Sequence, residues 1–497
     1  MRSTSKWQKG IFVSTLIISV ACNTLTGISP SSPAPLSTTT VAASISTPSA
    51  SQFKPGDPTA TPLGSEITDP NFIKGVEAFN AENDAEVIEL MSAVIRANPN
   101  LAPPYRYRGI SYWYLGDCEA GLADEEKALS LNPNYAAAWA GRGLMHSCLG
   151  NSEQAFQDYQ KALSIDPSLA FVHENMGVDY YEQGNYEKSL EEYSISAAID
   201  PNRSGAWNGK AQAQMQMGQY DECISNATKA IEINPEEWLA YTTRGYCEEF
   251  AGENPAAILD YKAYLEHDPT DAKIWYNLGN AQHHANFPEE AIDSFSKALD
   301  LDPTYYQANI NRGLAYTDLE KYDEALDDFN RALQFGDIPA AYSGRGTVYY
   351  FQGKYDEAIA DLELATSMMP DRPHSYCMLA YAYFEVGRYQ DSLAAALRVE
   401  EIAPGCGGQK LFEVMIQSYY AARRYEEGIA YITMTFEVRG QIYMLGYYYR
   451  GIMYDEIGKT HEAIKDLEFF LAVEQSFATI YPEQIADAKA RLARLKP

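Results

Sequence analysis

Two adjacent histidines, His283 and His284, are the residues whose type most readily suggests metal chemistry. Adjacent side chains on a helix diverge by about 100°, whereas helical metal sites use histidines at i and i+4. The pair therefore does not predict a metal site. The sequence also contains no glycine-rich phosphate loop and no nucleophile elbow. We expect neither a cofactor nor catalysis by this chain.

Arginine and aspartate recur together at a spacing of 16 residues. The six pairs are Arg108 with Asp124, Arg142 with Asp158, Arg244 with Asp260, Arg312 with Asp328, Arg345 with Asp361, and Arg450 with Asp466. Four equivalent places lack the arginine, and the residue 16 positions later is then never aspartate. These places are Met176 with Glu192, Lys210 with Asn226, Leu278 with Ser294, and Leu379 with Ala395. The covariation predicts partly buried ion pairs between two helices, which serve packing specificity more than stability.

The pairs belong to a longer repeat marked by proline and glycine. Prolines recur 34 residues apart at Pro99, Pro133, Pro167, Pro201, Pro235, Pro269 and Pro303. Asp337 holds the next proline place, and Pro370 and Pro404 resume the series after a one-residue deletion. Mid-repeat glycines occur at Gly116, Gly150, Gly184, Gly218, Gly252, Gly353, Gly387 and Gly458. Glycine tolerates the positive φ of a tight turn, so each one predicts a hairpin between a helix A and a helix B.

Residues 272–305 show the repeat most clearly. Its marker residues occupy repeat positions 4, 7, 8, 20, 24, 27 and 32 and are Trp275, Leu278, Gly279, Ala291, Phe295, Ala298 and Pro303. An amphipathic hairpin of this kind buries only one stripe, so it must stack on copies of itself. The pattern resembles the tetratricopeptide repeat. That resemblance implies an all-α, right-handed superhelical solenoid of about twelve helix–turn–helix repeats.

The resemblance covers residues 68–475, although the repeats at 68–101 and 409–443 are degenerate. Residues 476–497 contain a last amphipathic segment, 482–495, which we expect to cap the final repeat.

The resemblance also implies that repeat positions 2, 5, 6, 9, 12 and 13 line a concave groove that holds a peptide. The expected groove residues are Tyr107, Trp113, Tyr114, Asn175, Tyr181, Asn208, Gln212, Tyr246, Tyr276, Asn277, Asn280, His283 and Asn311. Amide side chains suit the backbone of an extended peptide, and aromatic rings supply contact area. The carboxylate clamp of chaperone-binding repeats is absent, because Arg106 is followed by Ile110 and Gly141 at its other positions.

Six cysteines come after Cys22, and four of them occupy facing places in neighbouring repeats. Helix B of one repeat packs antiparallel on helix A of the next, which brings Cys118 to Cys148 and Cys223 to Cys247. An oxidising compartment would allow these pairs to form disulfides, with Cys377 and Cys406 as a weaker third pair. Buried free thiols are the alternative.

Residues 1–21 have the form of a secretory signal, with Arg2, Lys6 and Lys9 before an apolar run. The signal ends in a sequence that resembles a bacterial lipoprotein signal, which implies lipidation of Cys22. An ordinary cleaved signal and an uncleaved anchor are the alternatives. Residues 22–67 are rich in Ser, Thr and Pro, so we expect a disordered stalk.

The formal net charge is −30 at pH 7, which argues against a nucleic-acid partner. The sequence therefore predicts an extracytoplasmic scaffold, attached by lipid alone to the membrane of a bacterial cell envelope, that binds a protein or peptide during envelope-associated assembly. The alternative is a glycan-binding or enzyme-accessory protein that uses Tyr107, Trp113 and Tyr114 against sugar.

Overall fold

The structure is a computed structural model that describes residues 67–437, 443–472 and 481–496. These residues form 25 α-helices, and no strand occurs among them. Consecutive helices pair as helix–turn–helix units, which confirms the predicted all-α repeat fold. The predicted signal segment, Cys22 and all of the predicted stalk except Ile67 lie outside the described residues.

Contacts divide the chain into two compact units, the first ending at Phe287 and the second beginning at Pro288. The helices of the first unit are α1 (Pro70–Asn80), α2 (Asp84–Ala97), α3 (Ala102–Tyr114), α4 (Cys118–Leu131), α5 (Ala136–Cys148), α6 (Ser152–Ile165), α7 (Ala170–Glu182), α8 (Tyr186–Ile199), α9 (Ser204–Gln216), α10 (Tyr220–Ile233), α11 (Trp238–Ala251), α12 (Asn254–His267) and α13 (Ala272–His284).

The helices of the second unit are α14 (Pro288–Leu301), α15 (Tyr306–Asp318), α16 (Tyr322–Ala332), α17 (Pro339–Phe351), α18 (Tyr355–Met368), α19 (Pro373–Glu385), α20 (Tyr389–Ile402), α21 (Gly408–Ala421), α22 (Tyr425–Glu437), α23 (Met444–Glu456), α24 (Thr460–Ala472) and α25 (Pro482–Leu495). Odd-numbered helices are the A helices of their repeats and even-numbered helices are the B helices, while α25 is the terminal helix.

The seven repeats that end at Pro99 to Pro303 each close on a short turn in which an Asn or Asp precedes the proline. Asp166 Oδ1 accepts the backbone N–H of Ser168 at 2.9 Å, and Asp302 Oδ1 accepts that of Thr304 at the same distance. The proline carbonyl then accepts from the aromatic ring six residues later: Trp207 Nε1 donates to the Pro201 carbonyl at 3.0 Å. This contact explains why the repeat needs both a proline and an aromatic residue at those places.

A ring from helix B fills the space between two successive A helices. Tyr193 of α8 is 5% exposed and lies between Gly177 of α7 and Gly209 of α9. A Cβ added at Gly209 would approach the Tyr193 ring to 2.3 Å, and one at Gly177 would approach it to 3.0 Å. The glycines are therefore required by close packing, not by backbone conformation.

Each of the six covarying arginines forms an ion pair with its aspartate. In the second unit, Arg312 donates from Nε to Asp328 Oδ2 and from Nη2 to Oδ1, each at 2.7 Å. The other five pairs approach to between 2.6 and 2.8 Å. The aspartates are buried and the arginines partly exposed.

Five of these arginines also reach a side chain of the preceding repeat, which the covariation did not predict. Arg312 Nη1 donates to Ser296 Oγ at 2.8 Å, and Arg244 Nη1 donates to Thr228 Oγ1 at 3.1 Å. The hydroxyl comes 16 residues before the arginine, on the preceding helix B. One guanidinium therefore links three helices. The sequence contained an indication of this contact, namely a polar residue at repeat position 25.

We predict strong energetic coupling between Arg312 and Asp328. Arg312→Met leaves a buried carboxylate unpaired, so each single variant should lose about 1–3 kcal/mol of unfolding free energy. In Arg312→Met/Asp328→Leu the losses should be less than additive by about 1 kcal/mol or more. Chemical denaturation of the four proteins measures this coupling.

Arg398 and Glu401, an exposed pair at 2.9 Å, provide the control and should couple by less than about 0.5 kcal/mol. Simple additivity at Arg312 would contradict the pairing.

Both cysteine pairs are disulfides in the structure. Cys118 of α4 bonds Cys148 at the end of α5, with Cα atoms 6.4 Å apart, and Cys223 of α10 bonds Cys247 of α11 at 6.3 Å. Each bond joins a helix B to the next helix A. Cys377 is a free, buried thiol, so the third pair that the sequence suggested was wrong.

Reduction should destabilise the first unit, which contains both of these bonds. They close segments with sequence separations of 30 and 24 residues. Chain entropy for loops of this length corresponds to about 3 kcal/mol each. Thermal unfolding with and without reductant measures this loss of stability. The double variant Cys223→Ala/Cys247→Ala should show about half of the loss that reduction causes. Alkylation followed by mass analysis provides the control. Cys118, Cys148, Cys223 and Cys247 all labelled without reductant would show that the bonds are absent.

Candidate functional site

The A helices of the first unit lie side by side, and we call their surface at repeat positions 2, 5, 6, 9, 12 and 13 the helix-A face. Gln216 Nε2 of α9 donates to the Tyr181 hydroxyl of α7 at 2.9 Å. Helices α9 and α11 contact each other, as do α11 and α13. Side chains from successive repeats can therefore act on one ligand.

The beginning of this face is closed, which corrects two predicted groove residues. The Tyr107 ring packs edge-on against Phe72 and Phe79, with centroids 5.8 and 5.2 Å away, and is 8% exposed. Trp113 is also 8% exposed and lies in the core with Ile110. Both rings belong to the packing between repeats. Only their neighbour Tyr114, partly exposed, remains available.

Arg106 is buried in the same region by an ion pair with Glu125. Its Nη1 lies 3.1 Å from Glu125 Oε1, and its Nε donates to the Ala137 carbonyl at 3.0 Å. Glu125 occupies the place that a ring fills in five other repeats and is fully buried. Burial raises its pKa to about 8, and the Arg106 charge opposes that shift. Arg106 is therefore engaged inside the protein.

Three predicted amide residues are buried on the helix-A face. Asn175, Asn208 and Asn280 are 3%, 5% and 5% exposed. Within the described residues, Asn175 Nδ2 and Asn208 Oδ1 have no hydrogen-bond partner. A buried amide without a partner costs about 1–3 kcal/mol. These two groups retain capacity to bond a ligand that comes close enough.

The open part of the face lies on α9, α11 and α13. The predicted residues that are partly exposed there are Gln212, Tyr246, Tyr276, Asn277 and His283. Tyr181 of α7 is 9% exposed at the edge of this region. Tyr246 stacks on Phe250 with ring centroids 4.6 Å apart, and Phe250 lies 5.3 Å from the Tyr220 ring. Asn311, the remaining predicted residue, is partly exposed in the second unit.

The rings of His283 and His284 are nearly parallel, with an interplanar angle of 22°. Their ring centroids are 6.4 Å apart, and His284 Nδ1 lies 3.6 Å from Glu249 Oε1 of α11. No group of three or more metal-binding side chains occurs within the described ranges.

Asp179 is a buried acid that the sequence patterns did not identify. It stands at repeat position 10 of α7, where the next repeats carry Ala213, Cys247 and Ala281. Ser147 of α5 donates a short hydrogen bond to its Oδ1, whereas Oδ2 has no partner among the described residues. Burial raises the pKa of Asp179 to about 7. Apart from Glu77 in the degenerate first repeat, the other repeats have small or apolar residues at this place, so the acid itself was the indication in the sequence.

Family models for the tetratricopeptide repeat match residues 136–169, 204–237, 272–305, 306–335 and 343–405. The chain belongs to the tetratricopeptide repeat family. No curated protein sequence matches it. The buried acids Glu125, Asp179 and Glu249 lie outside the matched segments. They mark where this tetratricopeptide array departs from the family pattern.

Solved tetratricopeptide structures that resemble the chain are shorter than it is. MamA from Desulfovibrio magneticus RS-1 is 21% identical, covering 33% of this chain and 93% of its own, with a TM-score of 0.32. YrrB, described as having an unusual peptide-binding site, is 22% identical over 37% and 95%, with a TM-score of 0.34. Pseudomonas aeruginosa pilF is 19% identical over 44% and 96%, with a TM-score of 0.39.

Tetratricopeptide arrays as a class are scaffolds that bind proteins or peptides and are typically not catalytic. Within the part of the chain that the structure describes, none of the helices has the length and apolar character needed to cross a bilayer.

We predict that Asp179 makes the first unit less stable as the pH rises. Its pKa rises from an ordinary 3.8 to about 7, so between these values the folded chain holds a proton that the unfolded chain has lost. The free energy of unfolding must therefore fall between these two pH values and level off above them. The total fall is about 1.4 kcal/mol per unit of pKa difference. Asp179→Asn should flatten the curve and unfold at higher temperature at pH 8.

A series of melting curves from pH 4 to pH 8 measures this effect. Glu153→Gln, which changes an exposed acid on α6, is the control and should match the unaltered chain. If the Asp179→Asn curve ran parallel to the unaltered one, Asp179 would not titrate in this range.

Proposed function

We propose that this protein is an exported scaffold, attached to the membrane through lipid on Cys22, that holds an extended protein segment along the helix-A face for envelope-associated assembly. The observation that carries the binding role is the open region on α9, α11 and α13. There, Gln212, Tyr246 and Asn277 are partly exposed on helices that touch one another.

The chemistry of this region suits a polypeptide. Amide side chains donate and accept at once, so Gln212 and Asn277 can pair with peptide N–H and C=O groups. Tyr246 and Tyr276 add contact area at low entropic cost. Neighbouring helices lie about 10 Å apart, so the three helices match roughly six to nine residues of extended chain at about 3.3 Å each.

The membrane attachment is proposed from the sequence of residues 1–22 alone. The residues between Cys22 and the first helix would give the array reach from the bilayer, which a scaffold for envelope assembly requires. Lipid on one cysteine tethers a protein without a spanning helix.

The glycan alternative loses the rings on which it depended. Tyr107 and Trp113 are packed in the core, so neither presents an open face to a sugar. Tyr114 remains partly exposed, but a single ring does not form a sugar platform.

Crosslinking of the membrane-tethered chain, followed by identification of the captured proteins, tests the proposal. Asn277→Ala and Tyr276→Ala should each reduce capture about tenfold, as expected for contacts worth about 1.4 kcal/mol. Asn202→Ala changes the same residue type at an exposed turn and should have no effect. Capture that is indifferent to Asn277 and Tyr276, or glycan binding with no protein partner, would overturn the proposal.

A further inference from the structure

Glu249 is a nearly buried carboxylate on the helix-A face without a full set of partners. It stands at repeat position 12 of α11 and is 8% exposed. The Tyr261 hydroxyl donates to its Oε2 at 3.2 Å. Within the described residues Oε1 accepts no hydrogen bond, and the nearest cationic group is His284 at 3.6 Å, charged only when protonated. A buried carboxylate oxygen that accepts no hydrogen bond costs free energy unless a donor reaches it.

Aromatic rings stand beside this carboxylate. Tyr246, Glu249 and Phe250 occupy positions i, i+3 and i+4, so they share one side of α11. The Tyr246 and Phe250 rings are stacked, and Glu249 acts electrostatically on Tyr246. Tyr220 of α10 extends the cluster. Ring faces attract a cation, and the attraction grows when water is excluded.

The basic side chains of the surrounding A helices are engaged elsewhere. Arg203, which precedes α9, pairs with Glu174 at 2.6 Å, and Arg244 of α11 pairs with Asp260. Lys210 of α9 lies 4.5 Å above the Trp207 ring. Lys273 of α13 lies ten residues before His283, about 15 Å along the helix. No lysine or arginine of α7, α9, α11 or α13 is therefore paired with Glu249 in the described contacts.

We propose that the site formed by Glu249, Tyr246, Phe250 and Tyr220 receives a lysine or arginine side chain of the bound segment, so that the helix-A face selects basic segments. This inference rests on the proposed function and names its partner chemistry. A lysine or arginine head group supplies the donor that Glu249 Oε1 lacks and the cation that the rings attract. A neutral side chain leaves that oxygen without a charge-assisted partner, and an acidic one is repelled.

The discriminating experiment measures fluorescence anisotropy of short labelled peptides with the full chain at physiological salt. Three peptides share one length and spacing and carry lysine, glutamine or glutamate at the variable places. The lysine peptide should bind about tenfold or more tightly than the glutamine peptide. Glu249→Gln, which keeps side-chain size and the Tyr261 hydrogen bond, should remove most of that advantage.

Glu266→Gln is the matched control, because it makes the same change of net charge at an exposed site on α12. It should leave the lysine advantage intact. Phe250→Leu is a second variant that keeps an apolar side chain and should lower affinity for the lysine peptide more than for the glutamine peptide. Melting curves of all variants verify that each is folded.

Two results would overturn the inference while leaving the proposed function in place. If Glu249→Gln and Glu266→Gln lowered lysine binding equally, the overall acidity of the chain would explain the preference. If lysine and glutamine peptides bound equally and both depended on Asn277, the face would bind peptide without selecting charge. Binding of no peptide at all would remove the inference together with the peptide role.

Discussion

Where helix B inserts a ring between two glycine-bearing A helices, that ring sets the spacing of the repeats. Tyr193 lies against Gly177 and Gly209 in the first unit, and Phe329 lies against Gly313 and Gly344 in the second. In each case an added methyl group would meet the ring at 3.0 Å or less. This contact holds successive A helices close, and the side chains at positions 5, 9 and 12 are then free to vary without changing the fold.

Where a buried carboxylate replaces the ring, the core must also supply a positive charge. Glu125 keeps the space next to Gly141 but needs a cation inside the core, which Arg106 supplies from the helix-A face. The pair removes a basic group from the surface, and such a pair adds little net stability because both charges are desolvated. The first repeats therefore present a closed face, whereas the repeats from α9 to α13 keep polar groups within reach of solvent.

Much of the fold could be derived from arithmetic within the sequence. Proline spacing located the repeats, covariation located Arg312 beside Asp328, and facing positions located Cys223 beside Cys247. These features recur, so the repeats serve as their own alignment. The pairing of Cys377 failed because it rested on one irregular stretch without a second example.

Exposure on the helix-A face could not be derived in the same way, because it depends on which neighbours happen to cover each position. Tyr107 is covered by Phe72 and Phe79 from a degenerate repeat that carries no signature aromatics. Burial gives Asp179 and Glu249 their unusual electrostatic properties, and residue spacing alone does not predict burial. The residues that follow the family pattern determine the backbone, and the residues that depart from it form the candidate site.

The three-way arginine contact also decides how neighbouring repeats share their stability. An arginine that binds its own aspartate and a hydroxyl of the preceding helix B makes opening of one repeat costly for the next. Met176 and Lys210 replace it in two successive repeats, α7–α8 and α9–α10, where coupling comes from packing, from the Arg203–Glu174 ion pair and from hydrogen bonds such as Gln216 to Tyr181. In a linear array, the weakest junction is where partial opening starts. Arg244 and the Cys223–Cys247 disulfide both hold α10 against α11, so the open face keeps its spacing there whatever the bulk of the bound segment.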